Sequence, residues 1–123
     1  SEQERDAGGA LEVVGEQLEK SLSAEANVAS VAIAYEPVWA IGSGIAAEVS
    51  MVKERKSIVS HILEEISGIG HSPVNPYMVF YGGSVDHTNA ASYVVEGKVD
   101  GLLVGSASLK AQDFKGVISA LIN

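Results

Sequence analysis

Residues 31–44 read VAIAYEPVWAIGSG: an apolar segment that runs without a charge into a glutamate, a proline, a tryptophan and a loop built on two glycines. An uninterrupted run rich in Val, Ile and Ala, with no polar alternation, is the pattern of a short strand buried on both faces. That predicts a strand over 28–35, with Glu36 standing where the strand gives way to a loop. It is the only such junction in the chain that ends in an acid.

Two further apolar runs match it. Residues 78–81 (MVFY) lead into Gly82, Gly83 and Ser84, and GLLVG at 101–105 leads into Ser106, Ala107 and Ser108. Helical periodicity fills the intervals. Leu11, Val14, Leu18 and Leu22 recur at helical spacing, with Glu12, Glu16, Glu19 and Lys20 available for the wet side. Val52, Val59, Ile62, Leu63 and Ile66 define a second helix over 48–66. A short helix over 88–95 has Thr88 or Asp86 as its cap, and Phe114, Val117, Ile118 and Leu121 mark a last one over 112–122. The Gly and Pro content of 67–76 reads as a loop. The order is helix, then strand–helix three times, which argues for an α/β fold with a parallel sheet covered on both faces. Three such strands leave two edges that neither charge nor proline blocks, so the chain is expected to need more sheet than it carries.

Composition bounds the function. The chain has 123 residues, 46% hydrophobic, a net charge of −8 and no cysteine. That length fits one domain, and the absence of cysteine excludes disulfides and thiolate metal sites. The eight Lys and Arg residues are scattered, which argues against a nucleic-acid partner. No apolar run reaches the roughly 18 residues of a membrane span, and the first residues lack the apolar core of a signal peptide. The expectation is a cytoplasmic protein without a membrane partner.

In parallel α/β folds the chemistry collects beyond the carboxyl ends of the strands. The junctions at 82–84 and 105–108 can cradle an anion, because glycine admits close backbone approach and successive N–H groups present positive dipoles. Each also reads as an ordinary turn. Glu36, followed by a proline and a large apolar Trp39, suits a partly desolvated base, and equally a solvated loop glutamate. Gly42 and Gly44 suit the tip of a mobile lid, or turn positions.

Taken together, AYEPVWAIGSG, YGGSV and DGLLVGSASL closely resemble, in this order and spacing, the last three signature segments of triosephosphate isomerases. ERDAGGALEVVGEQLE is similar to the helix after that family's fifth strand. The resemblance implies part of a (β/α)8 TIM barrel, with residues 1–123 as the C-terminal portion of a single barrel domain, strands six to eight. A whole barrel takes about 250 residues. It further implies interconversion of glyceraldehyde 3-phosphate and dihydroxyacetone phosphate through an enediolate, a step of glycolysis and gluconeogenesis, with no cofactor and no metal.

Residue by residue, Glu36 matches the family's catalytic base. Residues 37–47 match its lid, with Pro37, Val38 and Trp39 as one hinge and the stretch from Ile45 to Ala47 as the other. Gly42, Ser84, Gly105 and Ser106 match phosphate-binding positions, Tyr81 and Ser84 match residues that latch the closed lid, and Leu103 matches an apolar wall beside the glutamate. The implied partners are the triose phosphate substrate and the N-terminal half of the barrel, in the same or a separate chain, with a homodimer for the intact enzyme.

The sequence departs from the family pattern at Ile45 and Ala46, which replace polar hinge residues, and at Ser106, which replaces a glycine. The family's lysine and histidine electrophile lie on earlier strands. His61 falls mid-helix and His71 and His87 in loops, so these read as surface or capping histidines, and Lys110 as a solvated helix-end lysine. Without the electrophile, the 123 residues alone are expected to be nearly inactive. The alternative is a noncatalytic phosphate-binding half-barrel that pairs with itself or a partner.

Overall fold

The computed structural model describes residues 10–22, 32–40, 43–67 and 77–122. Its elements are α1 (Ala10–Ser21), β1 (Ala32–Tyr35), α2 (Val49–Ser67), β2 (Met78–Gly83), α3 (Ala90–Val95), β3 (Gly101–Val104) and α4 (Ala111–Ile122). Two 3-10 turns, Val38–Ala40 and Ser106–Leu109, follow the first and third strands. Residues 28–31 of the expected first strand and 68–76 of the expected loop lie outside the described residues.

The three strands form one parallel sheet in the order β1-β2-β3. Ile33 pairs with Val79 and Tyr35 with Tyr81; Tyr81 in turn pairs with Leu102, and Gly83 with Val104. β2 runs two residues beyond the expected Tyr81, because Gly82 and Gly83 still pair with Leu103 and Val104. Asp100 helps to set this register. Its carboxylate accepts from the Val79 N–H at 2.8 Å, while its own N–H donates to the Val79 carbonyl at 2.8 Å.

Side chains alternate across a strand, so one face of β2 presents Val79 and Tyr81. That face packs against the helices in two layers. At the amino ends of the strands, Val79 and Tyr77 join Leu18 of α1 and Val59, Ile62 and Leu63 of α2. At the carboxyl ends, Tyr81 joins Ala47, Val52, Val85, Ala90, Tyr93, Val99 and Val117. Fully burying one such aliphatic side chain contributes about 1.5–3 kcal/mol. The helical periodicities of α1 and α2 thus mark the faces that meet this side of the sheet, with Glu12, Glu16, Glu19 and Lys20 exposed as expected, whereas in α4 only Val117 of the expected face is buried and Phe114, Ile118 and Leu121 are exposed.

The opposite face is open. Ala32 and Ala34 are exposed, and Met78 and Leu103 keep 55% and 49% of their surface. Cover on both faces, expected from the unbroken apolar strands, is not supplied by the described residues. The helices lie on one side only, and the other side is apolar without a layer among the described residues. β1 and β3 each also present one unpaired edge among those residues.

One buried charge was not legible beforehand. Arg55 stands at 8% exposure on the inward side of α2, with Nη1 donating to Glu54 Oε1 at 3.2 Å. α3 is short because both ends are fixed by specific chemistry. The Asp86 carboxylate accepts from the Thr88 N–H (2.8 Å), the Thr88 hydroxyl and the Asn89 N–H (3.2 Å). Asn89 Oδ1 reciprocally accepts from the Asp86 N–H at 2.9 Å, closing the turn that leads into α3. The N-cap of α3 is Asn89, whose side chain makes no capping bond, so neither Thr88 nor Asp86 holds the position expected from the sequence, and the Asp86 carboxylate acts in the turn before it. At the other end a Cβ on Gly97 would collide with the Tyr93 carbonyl, and Lys98 turns the chain at φ 63°.

Hydrogen bonding, first from the Thr88 hydroxyl, holds the Asp86 carboxyl below its usual value of 3.8. A carboxyl depressed in the folded state adds stability that is complete above its unfolded value and fades as pH falls through the folded one. Asp86→Ala is therefore expected to cost about 1 kcal/mol at pH 7, and less at pH 3. Thermal unfolding of both proteins at the two pH values tests this; an equal penalty at both would contradict it.

Candidate active site

The first strand ends at Tyr35, in register with Tyr81, so Glu36 emerges beside Gly82. Glycine is required there by space. A Cβ at Gly82 would stand 2.7 Å from Glu36 Cγ and 3.0 Å from Oε1, inside contact distance. The carboxylate of Glu36 thus lies across the backbone of β2 and is half-buried. Pro37 behind it is buried, and its carbonyl accepts from the Ala40 N–H at 2.8 Å to close the Val38–Ala40 turn. Trp39 packs against the upper core cluster, while Val38 is 67% exposed. Residues 38–40, expected from the resemblance to be part of a hinge, form a closed 3-10 turn with Trp39 docked on the core.

Residues of all three strand ends line one open cleft of about 840 Å³, including Glu36, Ser84, Leu103, Gly105 and Ser106. Leu103 forms an apolar wall, half-exposed. The Ser106–Leu109 turn is closed onto the Gly105 carbonyl by the Ser108 N–H (2.9 Å) and hydroxyl (2.6 Å). A Cβ at Gly105 would meet open space, so that glycine faces the cleft rather than packing against protein. Asp86, His87, Lys110 and Asp113 also reach the rim. The sequence reading left these four out of the site, since nothing in their local pattern points to the cleft. With Glu36 they set three carboxylates against one lysine and one histidine, so the described side chains of the cleft carry more acid than base.

The segment from Pro37 to Ala47 is held at both ends. The Ser84 hydroxyl donates to the Ala40 carbonyl at 3.2 Å, and the Tyr81 hydroxyl accepts from the Ala47 N–H at 3.3 Å. Both residues named from the sequence for a latch therefore touch the segment. Ser84 does so at the amino-side hinge. Gly42 lies outside the described residues. Gly44 takes the left-handed φ of 74°, and the Ile45 N–H donates to the Ser43 hydroxyl at 3.1 Å. Ile45 is 61% exposed, so the branched apolar residue at the second hinge packs on little.

Two residues at this end escaped sequence reading. Asn89 Nδ2 donates to the Ser84 carbonyl at 2.9 Å and so orients the Gly82–Ser84 turn. Tyr93 donates its hydroxyl to the Ala47 carbonyl at 2.6 Å. In the sequence Tyr93 is one apolar-face position of a six-residue helix, indistinguishable from core. His61 pairs with Glu65 at 3.3 Å on α2, away from the cleft, and His71 lies outside the described residues. Among the described residues no group of His, Asp or Glu is placed to hold a metal ion, and no helix is long and apolar enough to cross a membrane.

Parallel strands backed by helices on one face, with a carboxylate and glycine-rich turns gathered beyond their carboxyl ends, are part of a TIM barrel seen at its working end. The model of the family "Triosephosphate isomerase" matches residues 1–121. The chain is 45% identical over 121 residues to the triosephosphate isomerase of Jannaschia sp. (strain CCS1), covering 98% of this chain and 48% of that protein. It is 44% identical over 118 residues to that of Xanthobacter flavus, covering 96% and 46%. The crystal structure of triosephosphate isomerase from Bartonella henselae superposes with a TM-score of 0.80 at 35% identity, over 98% of this chain and 47% of that one. The chain belongs to the triosephosphate isomerase family. It spans about half the length of the curated relatives it matches.

The contact at Gly82 yields a direct test. Gly82→Ala should swing the Glu36 carboxylate away by more than about 1 Å while β2–β3 pairing persists, because a flexible side chain yields before backbone does. A crystal structure of the variant with Glu36 unmoved would contradict the placement.

Proposed function

We propose that the protein carrying these residues is a triosephosphate isomerase, interconverting D-glyceraldehyde 3-phosphate and dihydroxyacetone phosphate in glycolysis and gluconeogenesis. The observation that carries this reading is the position of Glu36. Its carboxylate lies across Gly82, in the same cleft as the Ser84 and Gly105–Ser106 turns. A bound triose phosphate has its phosphate and its reacting carbons a few ångströms apart, which is the separation such a cleft offers between N–H donors and base.

In this mechanism the phosphate is held by the backbone N–H groups of Gly42, Ser84, Gly105 and Ser106. Glu36 removes a proton from the carbon next to the carbonyl and returns it to the neighbouring carbon, through an enediolate. Leu103 keeps water from one side of the carboxylate. Residues 37–47 close over the ligand, hinged at Pro37–Val38–Trp39 and at Ile45–Ala47, with Tyr81 and Ser84 as latch. The acidic balance of the described walls supports a further part of the reading: the positive charge and the carbonyl-polarising histidine come from the N-terminal half of the barrel, in the same chain or a separate one. The open sheet face is where that half would pack. The enzyme is read as a cytoplasmic homodimer. These 123 residues by themselves lack the electrophile and are nearly inactive.

General base catalysis is worth roughly 10²–10⁴-fold. Glu36→Gln in the complete protein should therefore lower isomerase turnover by about a thousandfold, with inorganic phosphate affinity within about twofold of the parent. Residues 1–123 alone should show turnover lower still, recovered when the N-terminal half is supplied. Unchanged turnover in Glu36→Gln would remove Glu36 from the chemistry. Phosphate binding with no turnover in any combination would favour the binding module instead.

A further inference from the structure

Ala47 ends the lid segment two residues before α2 begins and is buried at 4% exposure. Both of its backbone groups are taken up by tyrosine hydroxyls: Tyr81 accepts from its N–H at 3.3 Å, and Tyr93 donates to its carbonyl at 2.6 Å. The two tyrosines come from different elements, β2 and α3. Their rings stand 4.3 Å apart at 37°, and both are fully buried.

We propose that Tyr93 is a positioning residue, whose hydroxyl fixes the carboxyl-side hinge of the lid by holding the Ala47 carbonyl against α3. This rests on the lid reading given above.

The carbonyl bond is the shorter of the two and anchors the hinge to a helix rather than to the strand carrying the site. The amino end of that helix is tied to the phosphate-side turn, through Asn89 on the Ser84 carbonyl at 2.9 Å. α3 therefore sets the lid hinge and the Ser84 turn relative to each other. Burial, then the Tyr81 hydroxyl, pushes the Tyr93 phenol well above its ordinary value, so it remains a donor throughout the working pH range. With Ala47 pinned, the φ/ψ changes of closure are confined to the residues before it, as a few hinge positions absorb such motions.

The test is Tyr93→Phe in the complete protein, which keeps the ring and removes only the donor. Amide hydrogen exchange reads local opening. Amides over 45–49 should exchange at least about tenfold faster, the scale of one lost buried hydrogen bond, with β2 amides within about twofold of the parent. In the isomerase assay KM should rise about five- to tenfold with kcat changed less than twofold, because the closed state loses population while Glu36 keeps its place. Unchanged exchange over 45–49, or equal acceleration across lid and β2, would overturn the proposal; the second result would make Tyr93 ordinary core. Local loosening in a protein that shows no isomerase activity would sustain the anchor and remove the proposed reaction. If Tyr93→Phe does not fold, the parent protein decides. A Tyr93 hydroxyl proton that is slow to exchange by NMR, with a cross-peak to Ala47, supports the anchor, and one exchanging like an exposed phenol overturns it.

Discussion

Everything at this end of the molecule depends on the alternation of β2, paired in parallel on both sides. Its odd positions, Val79 and Tyr81, enter the two helix-packed layers, while Gly82 falls on the other face beneath the Glu36 carboxylate. A slip of one residue would exchange the two faces. Tyr81 would leave the core and the lid hinge, and a side chain would occupy the space Glu36 needs. The double hydrogen bond between Asp100 and Val79 sits at the start of this register and sets it before the site is reached. Core packing, the Tyr81–Ala47 contact and the placement of Glu36 therefore all rest on one pairing.

The segment from Pro37 to Ala47 is fastened at both ends by its neighbours. Its amino end is closed by the Pro37–Ala40 turn and held by Ser84 from the second strand end; its carboxyl end is held by Tyr81 and Tyr93. Between them, Ile45 and Ala46 are exposed and make no buried contact. Both ends of the segment are tied to the second βα unit, since Ser84, Asn89 and Tyr93 belong to the same strand–turn–helix passage. The electrostatics point the same way as the open sheet face. The described side chains of the cleft carry more acid than base.

Much of this was legible in local sequence, for reasons that differ by element. Val14 and Leu18 in α1, with Leu22 just past its end, and Val52, Val59, Ile62 and Leu63 in α2, declared their core-facing sides because helical period and burial coincide. The three strand ends were legible because Glu36, Gly82–Gly83–Ser84 and Gly105–Ser106 are chemically unusual against apolar strands. Burial on both faces is not seen among the described residues. An unbroken apolar strand reports that something must cover each face, but not whether this chain provides the cover, and Ala32, Met78 and Leu103 remain open. Arg55 is buried although its residue type is mostly exposed, and nothing in its local pattern marks it.

The sequence by itself determined the order of elements, the faces of the helices and the identity of the acid and glycine turns. Each of these follows from periodicity or from a residue's own chemistry within a few positions along the chain. Only the tertiary structure decided which groups meet. Glu36 lies on Gly82, Ser84 on Ala40, and Tyr93 on Ala47, across 46 to 44 residues of chain. Those contacts come from strands pairing in a particular register and helices folding back over one face. A tyrosine on a short helix carries no local mark of the carbonyl it will hold, because that carbonyl reaches it only when the sheet is assembled.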